Sequence, residues 1–501
     1  MTRVTAPELR YSTAPGRWVL VATVLGSGMA GLDATVVGIA LPAIGRDFGV
    51  DVAALQWVVN AYTLTLAGLL LLGGTLGDRY GRRRIFVIGT VWFALASLLC
   101  GVAPGATTLI FARALQGVGA ALLTPGSLAI LQASFVEKDR SRAIGAWSGL
   151  GGVATAVGPF VGGWLIGVAS WRLVFLLNLP LAVAVVLISA RHVPESRAPA
   201  VTGPLDIPGA VLVTGGLTGL TYGLIEGAGQ GWTSPLILTS LVGGVALLVG
   251  FVVLEGRTRN PMLPLEVFSS RQFSATNAVT FVVYGALGGV LFLLPVVLQV
   301  VAGYSPTLAG TALLPVTAIM LLLSSRSGAL AARIGPRLQM SVGPVVVAAG
   351  LALLARIDSK GTYVTELLPA VVVFGLGLAI TVAPLTATAL SAAPVEHAGV
   401  ASAVNNDVAR AAGLIAVAVL PVAAGITGDT YLDAMALADG FRSAVLIAAV
   451  ACALGGLLAA LTIRNPERAA PSPEAAEFHC ALDAPPLRGS HHGVAAAATD
   501  G

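Results

Sequence analysis

The chain has 501 residues, of which 56% are hydrophobic and only 10% charged, with a formal net charge of +4. Soluble globular chains carry roughly 25% charged residues, so this composition excludes a disordered chain, a nucleic-acid module and an ordinary cytosolic enzyme. It points to an all-α integral membrane protein: lipid tolerates only helices and closed barrels, and a barrel would show short alternating strands where this sequence has long unbroken apolar runs.

A spanning helix needs about 20 mostly apolar residues. In chain order, the runs that meet this are 18–41, 55–76, 85–102, 107–131, 143–168 and 173–189, then 207–225 and 236–254. A last group follows at 274–300, 308–323, 340–355, 367–390, 400–426 and 441–463, with Gly and Pro interrupting 308–323 and 340–355. Fourteen spans are therefore predicted. The first follows Arg3, Arg10 and Arg17, exceeds a signal-peptide apolar core and lacks a cleavage site, so it reads as retained. From Arg464 onward the chain turns to Ala, Pro and polar residues without apolar periodicity, which predicts a disordered tail over 464–501.

An even count puts both termini on one side, and the basic residues say which. Of the 28 Lys and Arg, 21 fall in segments on the side of the N-terminus and five on the other, while Arg113 and Arg410 lie inside spans. Cytoplasmic loops carry the excess of Lys and Arg, so both termini are expected in the cytoplasm and the chain in the inner (plasma) membrane. Cys100, Cys452 and Cys480 lie far apart and match no metal spacing. No nucleophile–base set, metal-ligand cluster or nucleotide-binding loop is found, so neither an enzyme nor a cofactor is expected. His491 and His492, alone in the tail, are read as inert.

The turn after the second span reads Gly74-Thr-Leu76-Gly-Asp78-Arg79-Tyr-Gly81-Arg82-Arg83-Arg84. After the tenth the pattern returns as Gly328-Ala-Leu330-Ala-Ala332-Arg333-Ile-Gly335-Pro336-Arg337. This repeat predicts two six-helix bundles, 18–190 and 274–463, with a two-helix hairpin inserted at 207–255. The N-terminus (1–17) and linkers 191–206 and 256–273 lie on the cytoplasmic side. Secondary transporters are often built from such repeats. In the turn, glycine allows a tight connection, Asp78 suits a helix N-terminus, and the arginines suit an anionic leaflet.

Asp33 lies about eight residues inside span one and Arg113 about six inside span four, depths of roughly 12 and 9 Å from the outer side. An ionisable residue within a span is costly and by default functional. The pair reads either as a proton-coupling site, because desolvation and a nearby cation pull an Asp in opposite directions, or as a permanent ion pair that fixes packing. Asp407 and Arg410 share a helix face at i, i+3 near the inner end of span thirteen. They read as a second protonation site or as an interfacial helix start. Gln56, Trp57 and Asn60 (beside Tyr62 and Thr63), Asn178, Tyr284 and Gln299 are candidate substrate contacts, with interfacial belt or packing as the competing reading. Trp164, Trp171 and Trp232 read as belt residues.

These strings resemble the major facilitator superfamily over essentially the whole chain before the tail, and within it the fourteen-span drug:proton antiporters. Gly74, Asp78, Arg79, Gly81, Arg82 and Arg83 are similar to the signature cytoplasmic loop, whose second copy has Ala332 in place of Asp. Leu32-Asp33-Ala-Thr35-Val-Val-Gly38-Ile-Ala40-Leu41-Pro42 is similar to the first-span motif, with Gly38 where Asn is usual. Arg113-Ala-Leu-Gln116-Gly117-Val-Gly119-Ala120 is similar to the fourth-span motif. Gly145, Gly158, Pro159, Gly162 and Gly163 resemble the fifth-span antiporter motif, with Ala154 where Gly is commoner. Asp407 is not a usual element of the polar cluster in span thirteen. The resemblance implies a major facilitator fold and a proton-coupled antiporter that exports drugs or antibiotics by alternating access. Its expected partners are an amphiphilic or cationic small molecule, protons and the bilayer, with no nucleic acid, and a monomer is expected. Export of an endogenous metabolite (an amino acid, peptide or siderophore) is the alternative. A membrane enzyme or sensor is a distant one, since no soluble domain is large enough for signalling.

Overall fold

The computed structural model describes residues 9–197, 205–258, 261–357, 362–392 and 398–465. The expected tail lies outside these beyond residue 465. Fourteen helices are long and apolar enough to cross a membrane. In chain order they are α1 (Ala14–Phe48), α2 (Val52–Tyr80), α3 (Arg82–Gly101), α4 (Ala106–Ser134), α5 (Glu137–Val168), α6 (Arg172–His192), α7 (Ile207–Gln230) and α8 (Pro235–Glu255). After these come α9 (Arg271–Val300), α10 (Pro306–Ile334), α11 (Pro336–Leu354), α12 (Tyr363–Ser391), α13 (Ala398–Ala423) and α14 (Ala434–Thr462). Among the described residues one isolated β-bridge is present, between Leu9 and Phe135.

The helices outrun the apolar runs at several ends, because backbone hydrogen bonding continues where side chains turn polar. α1 begins at the Thr13 cap, whose hydroxyl accepts from the Gly16 N–H at 3.3 Å, and carries Arg46 and Asp47 in its last turn. It stops at Gly49, which takes the left-handed conformation (φ 59°) that glycine adopts without penalty. Asp51 then caps α2, accepting from the Ala54 N–H at 3.0 Å. α10 extends past the predicted residue 323 to Ile334 through Ser324, Ser325 and Arg326. Two spans are broken: α6 at Leu177 and α10 at Ala312–Leu313.

α1 starts at the face that carries the N-terminal segment (the terminal face) and ends at the opposite, distal face; the helices then alternate. Their pairings repeat with an offset of eight. α4 packs between α2 and α3, as α12 packs between α10 and α11; α1 lies against α5 and α6, as α9 lies against α13 and α14. Small residues make these approaches close. A Cβ at Gly119 would sit 2.7 Å from the Phe93 nitrogen across α3–α4, and one at Gly350 would sit 2.5 Å from the Phe374 nitrogen across α11–α12. The two similar turns also share geometry, with φ of 116° at Gly81 and 88° at Gly335. Only glycine takes such a backbone freely.

The two sets of six helices meet along two seams. α2 faces α13, and α5 faces the first piece of α10, with α1 against α9 between them. α7 lies on the first seam: Leu64 of α2, Leu217 of α7 and Leu414 of α13 form one buried cluster.

Candidate functional site

The charges in α1 and α4 meet. Asp33 Oδ2 pairs with Arg113 Nη1, and both side chains are fully buried. The helix register explains the surroundings. Gln116 stands three residues after Arg113 on the same face, so its Nε2 reaches Asp33 Oδ1 at 2.8 Å while its Oε1 accepts from Arg113 Nη1. Asn178, just after the break in α6, donates to the same Asp33 oxygen at 2.9 Å. Ser97 of α3 accepts from Gln116 at 2.7 Å and from Asn178 at 3.2 Å. Arg113 Nε donates to the Val58 carbonyl at 3.0 Å, and its guanidinium sits 4.3 Å from the Tyr62 ring centre. Every hydrogen-bond partner of the Asp33 carboxyl is a donor.

The site is walled off on the distal side. Gln56 Nε2 donates to the carbonyls of Val417 (2.6 Å) and Ala418 (3.2 Å), and Asn60 Nδ2 to that of Leu414 (3.3 Å). Gln299 Nε2 donates to the Ile39 carbonyl at 3.0 Å and Thr307 Oγ1 to the Gly163 carbonyl at 3.1 Å. Tyr431 donates to the Val50 carbonyl. All these bonds join the first set of helices to the last.

The fifth-span glycines divide by depth. Gly158 and Gly162 press on α1 at Leu32, Thr35 and Val36, while Gly163 meets Pro306 and the Pro159 carbonyl meets Gly310 of α10. Toward the terminal face, Gly145, Gly149, Gly151 and Gly152 have nothing within 4 Å of a Cβ position. α5 and α10 are therefore packed together distally and splayed apart toward the terminal face.

In the turn after α2, Asp78 binds Arg82 of the same turn at 2.8 Å. The anion at the N-terminus of α3 is instead Glu195, which accepts from the N–H groups of Arg83 (3.1 Å) and Arg84 (3.2 Å). Sequence reasoning gave this role to Asp78. Glu195 was missed because its segment carries no pattern; only an acid near a basic, uncapped helix start hinted at it. Gly74 lies beside Pro125, and Arg83 reaches the Val193 carbonyl at 3.1 Å.

Asp407 and Arg410 sit about nine and twelve residues inside α13, well past a helix start. Asp407 Oδ1 and Arg410 Nε are buried without a hydrogen-bond partner among the described residues. Beside them Asn405 bonds Asn277 (3.0 Å) and Thr280 (2.9 Å) of α9. Of the candidate substrate contacts, Asn178 joins the Asp33 cluster, and Gln56, Asn60 and Gln299 lie in the seams. Trp57 donates to Glu226 of α7 at 2.9 Å, and Tyr284, on α9, packs against the large apolar core shared by both sets of helices. Among the described residues no group of three or more His, Cys, Asp or Glu is placed to hold a metal.

Known proteins agree with this architecture. Relatives include a puromycin resistance protein of Streptomyces alboniger, 39% identical over 88% of this chain and 89% of its own. Another is a tetracenomycin C resistance and export protein of Streptomyces glaucescens, 35% identical over 84% and 78%. A crystal structure of a POT family transporter with 5-aminolevulinic acid superposes with a TM-score of 0.68 at 12% identity, covering 90% of this chain and 97% of that one. Such low identity speaks for the fold alone. Residues 23–418 match the Major Facilitator Superfamily, and with these relatives the chain belongs to that superfamily of membrane transporters.

Proposed function

We propose that this transporter exports drugs or antibiotics from the cell by proton antiport, through alternating access between two six-helix halves, 18–190 and 274–463. The terminal face is cytoplasmic and the distal face outside, as the basic residues require, in the inner membrane of a bacterium. The observation that carries the reading is the Asp33–Arg113 cluster beneath a hydrogen-bonded distal seam. In this inward-facing state the carboxylate holds donors only, so a proton reaches it once the distal side opens. Protonation then removes the charge that Arg113, Gln116 and Asn178 grip, and shifts the balance between states. Arg113 is the counter-charge, while Asp407 and Arg410, with unpaired atoms toward the cytoplasmic end, form a second, inner polar site. The names of the resistance and export proteins support a small-molecule antibiotic as cargo. The chain works as a monomer, since each half of the repeat is supplied once.

The test uses Asp33→Asn in liposomes. The wild type is expected to drive uphill drug flux with an imposed pH gradient, and the variant to lose it while retaining downhill drug exchange. Uphill flux in the variant, or loss of both activities in a folded variant, overturns a coupling role for Asp33. A susceptibility panel in an efflux-deficient host, with no drug protected, would point to an endogenous metabolite instead.

A further inference from the structure

We propose that Gln56, Asn60 and Gln299 form a clasp that holds the distal gate shut, and that their own amide oxygens keep this clasp ready to open. The inference rests on the alternating-access reading above. Each amide sends its N–H group across a seam to a backbone carbonyl. The choice of acceptor is physical in the clearest case. Val417 lies four residues before Pro421, which has no N–H, so the Val417 carbonyl lacks its helical donor. Gln56 supplies that donor from the other half, at 2.6 Å. The latch is thus an orphan carbonyl made by a proline on α13 and an amide on α2.

The same three amides share a defect. Gln56 Oε1, Asn60 Oδ1 and Gln299 Oε1 are all buried with no donor among the described residues. A made hydrogen bond is worth little net, whereas an unmet buried acceptor costs its full desolvation. In the closed gate each amide donates across the seam, Gln56 to two carbonyls, and strands one oxygen; in the open gate, water reaches both ends. The two states are thereby brought close in free energy, which a cycling transporter needs and a permanent structural joint does not. The i, i+4 spacing of Gln56 and Asn60 puts both on one face of α2, so they release together. Gln299 reaches from α9 to the Ile39 carbonyl of α1, which keeps its own helical donor, and also bonds the Pro295 carbonyl of its own helix at 3.2 Å.

The experiment places spin labels at Val102 and Met435, exposed by 61% and 79% at the distal ends of the two halves. The background has Cys100, Cys452 and Cys480 replaced. The distance distribution is then read in nanodiscs with and without a transported drug, in acid and in neutral buffer. In neutral buffer, where the new side chains ionise, Asn60→Asp and Gln56→Glu turn a donor into an acceptor facing a carbonyl. Both are expected to move the open-to-closed ratio about tenfold toward open, about 1.4 kcal/mol. Asn60→Leu removes donor and stranded oxygen together and is expected to stay closed and to cycle more slowly. If the acidic variants keep the wild-type distribution while drug or acid still moves the wild-type labels, the clasp is wrong and alternating access stands. If nothing moves the wild-type labels, alternating access fails and the gate with it.

Discussion

Asp33 is surrounded by N–H donors from two helices, and that arrangement makes its pairing asymmetric in energy. Removing one partner of a buried pair strands the other, at about 3–5 kcal/mol, while replacing both with apolar groups is often close to neutral. Asp33→Leu alone is therefore expected to lower the unfolding temperature in detergent more than Asp33→Leu combined with Arg113→Leu; equal losses would show that the pair does not act as a unit. Arg113→Lys separates charge from shape. It keeps the cation but loses the guanidinium fork that reaches Asp33, Gln116 and Val58 together, so a loss of about 1–3 kcal/mol is expected by the same measurement. Asp33 and Arg113 were legible because a charge inside an apolar run is too costly to keep without a partner or a task. Gln116 was legible within the fourth-span string at i, i+3. Ser97 was not: serine in a span ordinarily satisfies its own helix, so nothing in the sequence marks the one that accepts from two amides.

At the scale of the helices, small residues decide where the two halves can touch. A side chain at Gly163 would strike the Pro306 carbonyl, and one at Gly310 the Pro159 carbonyl, whereas Gly145 faces open space. Gly163→Val and Gly310→Val are expected to pry α5 from α10 and cut transport at least tenfold, while Gly145→Ala leaves expression and unfolding temperature unchanged. A destabilised Gly145→Ala protein would contradict the splayed geometry. Glu195→Gln tests the end of α3. The amide oxygen can still accept one bond but brings no charge to the helix N-terminus, so about 1 kcal/mol of stability should go, and Asp78→Asn should cost less. The positions of helices were readable from apolar runs, since lipid demands them. Their ends were not, because α1 and α10 continue through charged and polar residues once the backbone ladder is established. The breaks in α6 and α10 did leave a sign: Pro180 follows the turn at Leu177 and Pro315 the turn at Ala312–Leu313, and each proline deprives the carbonyl four residues back of its helical donor.

The whole molecule poses a question that fourteen spans raise and twelve would not: what the extra hairpin does when the halves move. α7 leans on α2 and α13, which belong to opposite halves, so any rocking must break one of those contacts. The attachments are unequal. Toward α2 there is the Trp57–Glu226 bond at 2.9 Å, the Trp57–Tyr222 ring pair at 6.3 Å and the seating of Thr214 on Gly68. Toward α13 the shared apolar cluster offers Leu414, and apolar contacts slide more readily than directional polar ones. The hairpin should then travel with the first half and slip along α13. Gly68→Cys with Thr214→Cys places two Cβ atoms near disulfide range, and its oxidation is expected to leave drug flux in liposomes intact. A short cross-linker between cysteines at Leu217 and Leu414 is expected to reduce flux at least tenfold, reversibly on cleavage of the link. The opposite pattern would assign the hairpin to the second half. Arrest by both links would mean that it shifts against each of them, and that the inserted pair is a moving part rather than a strut.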